Sequence, residues 1–134
     1  MLTINPGKPS FARGQDFVAT VKFDAKAPVA CRKFTANLVC VEKSNLQSLK
    51  LKDKEEVHVE KLYDLEQALA GDCKLAPGNY YVSIKIPANA PPSDYEFGKD
   101  GKIRVWTLYV KLDVPMAPDE QAQQEIKVQG IEDE

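Results

Sequence analysis

Residues 75–115, LAPGNYYVSIKIPANAPPSDYEFGKDGKIRVWTLYVKLDVP, decide the fold class of this chain. Apolar side chains recur at every second position over residues 80–86, and a period of two predicts a half-buried β-strand. The Pro-Gly dipeptide at 77–78 predicts a turn before this strand. Pro87 ends the strand, because proline cannot donate to the hydrogen-bond ladder of a sheet. The stretch therefore predicts strands separated by turns that contain proline and glycine.

In the second strand of this stretch, the alternation of apolar residues shifts by one position. Ile103 and Val105 share one parity, whereas the apolar residues from Trp106 to Leu112 share the other. A shift of one residue turns every side chain over, so an unbroken strand cannot bury both sets on one face. Two interpretations stay open: a β-bulge near Trp106 and Thr107, or a strand that is covered on both sides with Trp106 on its outer face.

Along the rest of the chain, predicted turns separate predicted strands at regular intervals. In all, we predict about seven strands, at residues 1–5, 17–23, 32–41, 57–63, 80–86, 103–112 and 125–130. Residues 64–70, DLEQALA, are the best candidate for a helix, which Gly71 would end as a C-cap. Many short strands with little helix predict an all-β, immunoglobulin-like antiparallel sandwich.

Length and composition exclude several classes of protein. A chain of 134 residues is expected to be a single domain spanning residues 1–134. The net charge of −2 and the scattered basic residues argue against nucleic-acid binding. No apolar run is long enough to span a membrane, and the start MLTINPGKPS lacks the pattern of a signal peptide. We therefore expect a cytoplasmic protein with no integral membrane segment.

The residue types that catalysis needs do not occur in recognisable patterns. His58 is the only histidine, and the alternation around it indicates a solvated outer-face side chain. No Gly-x-Ser-x-Gly elbow accompanies it, and neither a phosphate-binding P-loop nor an EF-hand calcium loop is present. We therefore expect no enzyme activity, no catalytic residue and no cofactor.

Cysteines and aspartates do not form a metal motif either. The three cysteines, at 31, 40 and 73, form no Cys-x-x-Cys pair, which makes a metal site improbable. They are expected to be reduced, with Cys40 in the core; a disulfide or a reactive thiol is the alternative. Asp72, Asp94, Asp100 and Asp119 are dispersed in sequence, unlike the loop-tip aspartates of calcium-binding C2 modules, and whether they converge in space stays open.

An ordered set of short motifs resembles the N-terminal module of arrestin-like proteins. Over residues 75–115 these motifs are Leu75-x-x-Gly78-x-Tyr80, Ile86-Pro87, Pro92-Ser93, Gly101-x-Ile103-Arg104 and Leu112-Asp113-x-Pro115. Looser similarity extends to residues 13–22, 29–38 and 125–130. Residues 13–22 resemble the opening strand of such modules, although Ala19 stands where the family has its second glycine.

The resemblance implies an arrestin-like β-sandwich that acts as a non-catalytic interaction or scaffold module. Related modules serve in cargo sorting and in bacterial sporulation control. Arrestins carry two such modules, and this chain stops where the second would begin, so their polar core is not carried over. Lys22, Arg32 and Lys33 lie near the region of the family's phosphate-sensing residues, but a role in surface solubility is the simpler interpretation.

Two functional hypotheses follow. In the first, a partner protein or peptide binds to a sheet edge or a sheet face, as in known modes of strand addition. The candidate binding residues are apolar or aromatic side chains on the predicted outer faces: Val39, Val41, Tyr81 and Tyr109. In the second, the chain assembles with a copy of itself, most simply as a twofold homodimer that replaces the second module.

Overall fold

The computed structural model describes residues 1–45, 57–93 and 102–129. These residues form ten β-strands and no helix. The strands are β1 (Leu2–Pro6), β2 (Ser10–Ala12), β3 (Asp16–Phe23), β4 (Val29–Cys31), β5 (Lys33–Asn45), β6 (Val57–Ala70), β7 (Cys73–Leu75), β8 (Gly78–Lys85), β9 (Lys102–Asp113) and β10 (Glu120–Gln129). The prediction of an all-β protein is confirmed, with ten strands instead of about seven.

The strands form two larger sheets and one small one. The first sheet has three strands in the order β1-β3-β8, and the second has five in the order β2-β10-β9-β5-β6. The two-stranded sheet pairs β4 with β7. All of these pairings are antiparallel except that of β2 with β10. This arrangement is the predicted antiparallel β-sandwich.

The core lies between the inner faces of the two larger sheets. On β3 and β5 the core-face side chains are those that the alternation of the sequence predicts, namely Phe17, Ala19, Val21 and Phe23 on β3 and Phe34, Ala36, Leu38 and Cys40 on β5. On the outer face of β5, Thr35 and Val39 are buried as well. The inner face of β9 adds Trp106, Leu108, Val110 and Leu112. Burial of each large apolar side chain contributes roughly 1.5–3 kcal/mol relative to exposure, so these three faces contribute substantially to the stability.

The predicted helix at residues 64–70 is wrong, because this segment is the second half of β6. It pairs with β5 from Phe34 to Val39. Along it, Leu65 and Leu69 are half-buried, whereas the acidic side chains of Asp64 and Glu66 are exposed. Preferences for helix over strand amount to less than about 1 kcal/mol per residue, so pairing with a neighbouring strand outweighs them. Gly71 accordingly follows a strand and is not a helix C-cap.

Neither interpretation of the phase change in β9 is correct. The register of β9 with β5 runs without a shift from Lys102 to Asp113. Trp106 is buried on the core face, and Ile103 and Val105 lie half-buried on the opposite face. The register shifts occur instead between β5 and β6, at Phe34/Thr35 and at Cys40/Val41. Irregular pairing of this kind is common at sheet edges, where β6 lies.

The segment after β8 is held against β9 and β10. The indole Nε1 of Trp106 donates to the carbonyl oxygen of Pro91 at 2.8 Å. The backbone of Ser93 donates to the Val128 carbonyl at 2.7 Å, and the Ser93 hydroxyl accepts from the Val128 amide at 2.8 Å. Strand β8 ends just before Pro87, close to where the sequence predicts its end.

Candidate functional site

A groove crosses the outer face of the five-stranded sheet, on the side away from the core. It encloses about 570 Å³. Strands β5, β6, β9 and β10 supply its walls and floor, and we call it the outer groove. Its lining residues are Thr35, Asn37, Val39, Val41, Lys61, Asp64, Tyr109, Val110, Lys111, Gln121, Ala122 and Gln123. Its volume falls within the range of about 300–1,000 Å³ that is typical of ligand sites.

The apolar part of the outer groove consists of Val39, Val41 and Tyr109. Val39 is only 6% exposed although it points away from the core. The reason is that β5 is a central strand, so Val39 has cross-strand neighbours on both sides, Asp64 and Thr107. Tyr109 on the adjacent strand is 40% exposed and offers an aromatic surface to a ligand. The groove therefore combines a buried valine in its floor with an accessible ring.

The polar part of the outer groove is already paired within the protein. Asp64 accepts hydrogen bonds from the Asn37 amide at 2.8 Å and from the Lys61 ammonium at 3.0 Å. These two donors, Asn37 first, lower the pKa of Asp64, so its carboxylate is charged at neutral pH. Lys111 forms an ion pair with Asp119 at 3.3 Å. Because both lysines face a carboxylate, the groove has no cluster of unpaired positive charge to attract a polyanion.

The structure brings together three of the four predicted binding residues. Val39, Val41 and Tyr109 line the outer groove. Tyr81 lies on β8 in the other large sheet, where it is 70% exposed. The side chain of Gln67 bridges from β6 to that strand, donating to the Tyr81 carbonyl at 3.3 Å and accepting from the Ser83 amide at 2.8 Å. Tyr81 thus belongs to a separate surface.

Among the groove residues that were absent from the sequence-based set, Asn37, Lys61 and Asp64 form a hydrogen-bonded polar group. Asp64 was missed because its segment was predicted to be helical, which removed it from the outer face of the sheet. The signal that could have found it is the alternation of exposed acidic residues with half-buried leucines in β6. Asn37 is on the predicted outer face of β5, but its role is clear only from its contact with Asp64.

Metal-binding residues do not converge in the part of the chain that the structure describes. No group of three or more His, Cys, Asp or Glu side chains there is placed to hold an ion. The Asp119 carboxylate is bonded to Lys111 and to the backbone amide of Val114. Asp94 and Asp100 lie outside the described residues, as does the side chain of His58.

The three cysteines are free thiols in distinct environments. Cys40 is fully buried in the core, as predicted, and burial raises its pKa to about 12, although the nearby Arg104 guanidinium opposes this. Its thiol therefore stays protonated at neutral pH. Cys31 is buried and Cys73 exposed, and their sulfur atoms lie 3.9 Å apart.

The two facing sheets define the fold as an antiparallel β-sandwich, which is consistent with an arrestin-like fold. Among solved structures, the chain is similar over 96% of its length to Spo0M, a sporulation control protein from Bacillus subtilis, with a TM-score of 0.64 and 16% sequence identity. The similar region covers 48% of the Spo0M chain, so this chain spans about half of that protein. At this identity the likeness concerns the fold.

The sequence comparisons do not assign the chain to a family. No protein-family model matches the chain, and no curated protein matches it. Within the described residues, the structure contains no helix that is long and apolar enough to cross a membrane.

Proposed function

We propose that this protein is a non-catalytic interaction or scaffold module of the arrestin-like type, and that the outer groove binds an extended peptide segment of a partner protein. The observation that carries the proposal is the convergence of Val39, Val41 and Tyr109, from two adjacent strands, in one groove outside the core. Fold alone does not determine function, so the proposal depends on this site.

The chemistry of the outer groove suits a peptide of mixed polarity. Side chains of the peptide would pack on the valines and on the Tyr109 ring. Its backbone amides and carbonyls would meet the side-chain amides of Asn37, Gln121 and Gln123, which can both donate and accept. Paired charges at Asp64 and Lys111 would discriminate against ligands with high net charge, since a charge buried there would lack a free counter-ion.

A non-catalytic role is supported by the state of the ionisable groups around the groove. Lys61 and Asp64 neutralise each other, and Lys111 is paired with Asp119. A general base or nucleophile needs a group whose proton affinity is matched to its task and whose reactive atom is free. The groove offers hydrogen bonds and apolar surface, which are the components of recognition.

Substitution of Tyr109 by serine tests the proposal. Peptides of about twelve residues would be selected from a random display library on the wild-type protein, and their affinities measured by calorimetry. We expect Tyr109→Ser to weaken binding by at least about tenfold, because aromatic residues at the centre of an interface commonly contribute 2 kcal/mol or more. Tyr81→Ser, which removes an exposed ring from the other sheet, is the matched control and should leave the affinity unchanged.

Two results would contradict the peptide site. One is full affinity in Tyr109→Ser for every selected peptide. The other is a loss in Tyr81→Ser alone, which would move the binding surface to β8. Circular dichroism of both variants would show that neither substitution alters the fold.

Self-assembly is the second candidate function, and the observation that favours it is the edge of β6 before Gln67, since Gln67 itself bridges to β8. This strand has 14 residues, and among the described residues the ladder pairs it only with β5. A second copy could add its own β6 in antiparallel fashion, which would give an isologous twofold dimer. Light scattering over a concentration series tests this: twice the chain mass supports it, and a monomer at about 1 mM opposes it.

A further inference from the structure

Cys31 and Cys73 face each other across the two-stranded sheet of β4 and β7. They are direct partners in the antiparallel register, and their Sγ atoms are 3.9 Å apart although the residues are separated by 42 positions in sequence. Directly opposite residues of an antiparallel pair have Cα atoms about 4.5–5.5 Å apart. That separation falls within the range of about 4.4–6.8 Å found in disulfides.

We propose that Cys31 and Cys73 are a thiol–disulfide site that hydrogen peroxide oxidises reversibly. Closing the bond would need the sulfur atoms to approach by roughly 2 Å, to the usual length of about 2.05 Å. Since the two residues are already aligned by the ladder, side-chain rotation supplies most of this movement. The site lies apart from the outer groove, and it goes beyond the proposed function.

The two thiols differ in accessibility, which assigns their roles. Cys73 is exposed, so it meets the oxidant first. Cys31 is 1% exposed, and its thiol donates to the Gly71 carbonyl at 3.4 Å. Burial raises the pKa of Cys31, which keeps this sulfur protonated and protected until its partner has reacted. Cys73 is therefore the peroxidatic thiol and Cys31 the resolving thiol.

The reaction balances in two steps. The Cys73 sulfur, as thiolate, attacks one oxygen of the peroxide. A sulfur–oxygen bond forms and the oxygen–oxygen bond breaks. The hydroxide that leaves takes up the proton released by the thiol and becomes water. The Cys31 sulfur then loses its proton and attacks the sulfenic sulfur of Cys73. The disulfide forms, and the sulfenic hydroxyl leaves with that proton as a second water. The two sulfurs lose two electrons, and the peroxide gains them.

Oxidation would join two connections that are far apart along the chain. Strand β4 belongs to the segment between β3 and β5, and β7 belongs to the segment between β6 and β8. In the reduced protein the ladder that holds them together is only three residues long on each side. A disulfide here closes a long loop, which is the case in which constraint of the unfolded chain is greatest.

Mass spectrometry of the full chain tests the site with hydrogen peroxide itself as the probe. After treatment with a few equivalents of peroxide at pH 7.5, the protein would be denatured and alkylated with N-ethylmaleimide. We expect one added maleimide, on Cys40, instead of three, and a tryptic cross-link between residues 27–32 and 62–74 that dithiothreitol abolishes. Cys40→Ala is the matched control and should form the same cross-link with no maleimide added.

The single variants separate the two steps. In Cys31→Ser, the sulfenic acid of Cys73 should persist and be trapped by dimedone, whereas wild-type protein should give at least about tenfold less adduct. Three maleimides after peroxide treatment would overturn the proposal. It would also be overturned by conversion of Cys73 to sulfinic acid while Cys31 stays alkylatable, or by a cross-link between the Cys73 residues of two molecules.

Discussion

Replacing Trp106 with alanine should lower the free energy of unfolding by about 3–5 kcal/mol, the range for large aromatic side chains removed from a core. Trp106 is the largest fully buried side chain of the described residues. It stacks on Tyr63 with ring centroids 5.8 Å apart, so the substitution leaves a cavity between β9 and β6. It also leaves the Pro91 carbonyl without the indole donor that holds the segment after β8.

Urea denaturation followed by far-ultraviolet circular dichroism measures this effect without relying on the fluorescence of the residue removed. Tyr109→Ser is a suitable control, since it lies on the same strand but on the outer face, and it should cost less than about 1 kcal/mol. Trp106→Phe separates ring packing from the hydrogen bond and should give an intermediate loss. Equal losses for Trp106→Ala and Tyr109→Ser would show that β9 does not contribute to the core through its Trp106 face.

Replacing Phe17 with alanine should lower the free energy of unfolding by about 3–5 kcal/mol. Phe17 is fully buried at the start of β3, in the three-stranded sheet. Its ring meets that of Phe11 edge to face, with centroids 4.8 Å apart and planes at 64°. Phe11 lies on β2, at the edge of the five-stranded sheet. This pair therefore links the two sheets of the sandwich at one end.

A double-mutant cycle isolates the contact between these rings. Phe11→Ala, Phe17→Ala and the double variant should show a coupling of about 0.5–1.5 kcal/mol, the value for edge-to-face aromatic pairs. Phe23 is the matched control partner: it is equally buried but lies at the far end of β3, roughly 20 Å away at 3.3 Å per residue. Additive losses for Phe11 with Phe17, or coupling for Phe11 with Phe23, would contradict this account.

Prediction of the strands succeeded where one face alternates cleanly. On β3 and β5 the core-face positions agree with the prediction, because a side-chain period of two is a local property of the sequence. It failed at β6, whose residues also have good helix propensity, and at β9, where the switch of parity was interpreted either as a bulge or as a strand with Trp106 on its outer face. In both cases the deciding interaction is pairing with β5, which lies at least 12 residues away along the chain.

Prediction of the outer groove was partial for a related reason. The alternation of β5 placed Val39 and Val41 on its outer face, and both line the groove. No local pattern showed that Tyr109 lies beside Asn37 on the neighbouring strand, or that Tyr81 lies on another sheet. Outer-face position is a property of one strand, whereas a groove requires several strands in register.

Local sequence was thus sufficient to assign the all-β class, the core faces of β3 and β5, and the motifs that resemble arrestin-like modules. The fold alone established the course of β6, the assembly of the outer groove and the position of Cys31 opposite Cys73. The physical reason is that side-chain alternation follows from the backbone of each strand. Register, by contrast, follows from hydrogen bonds and packing between strands that are distant in sequence.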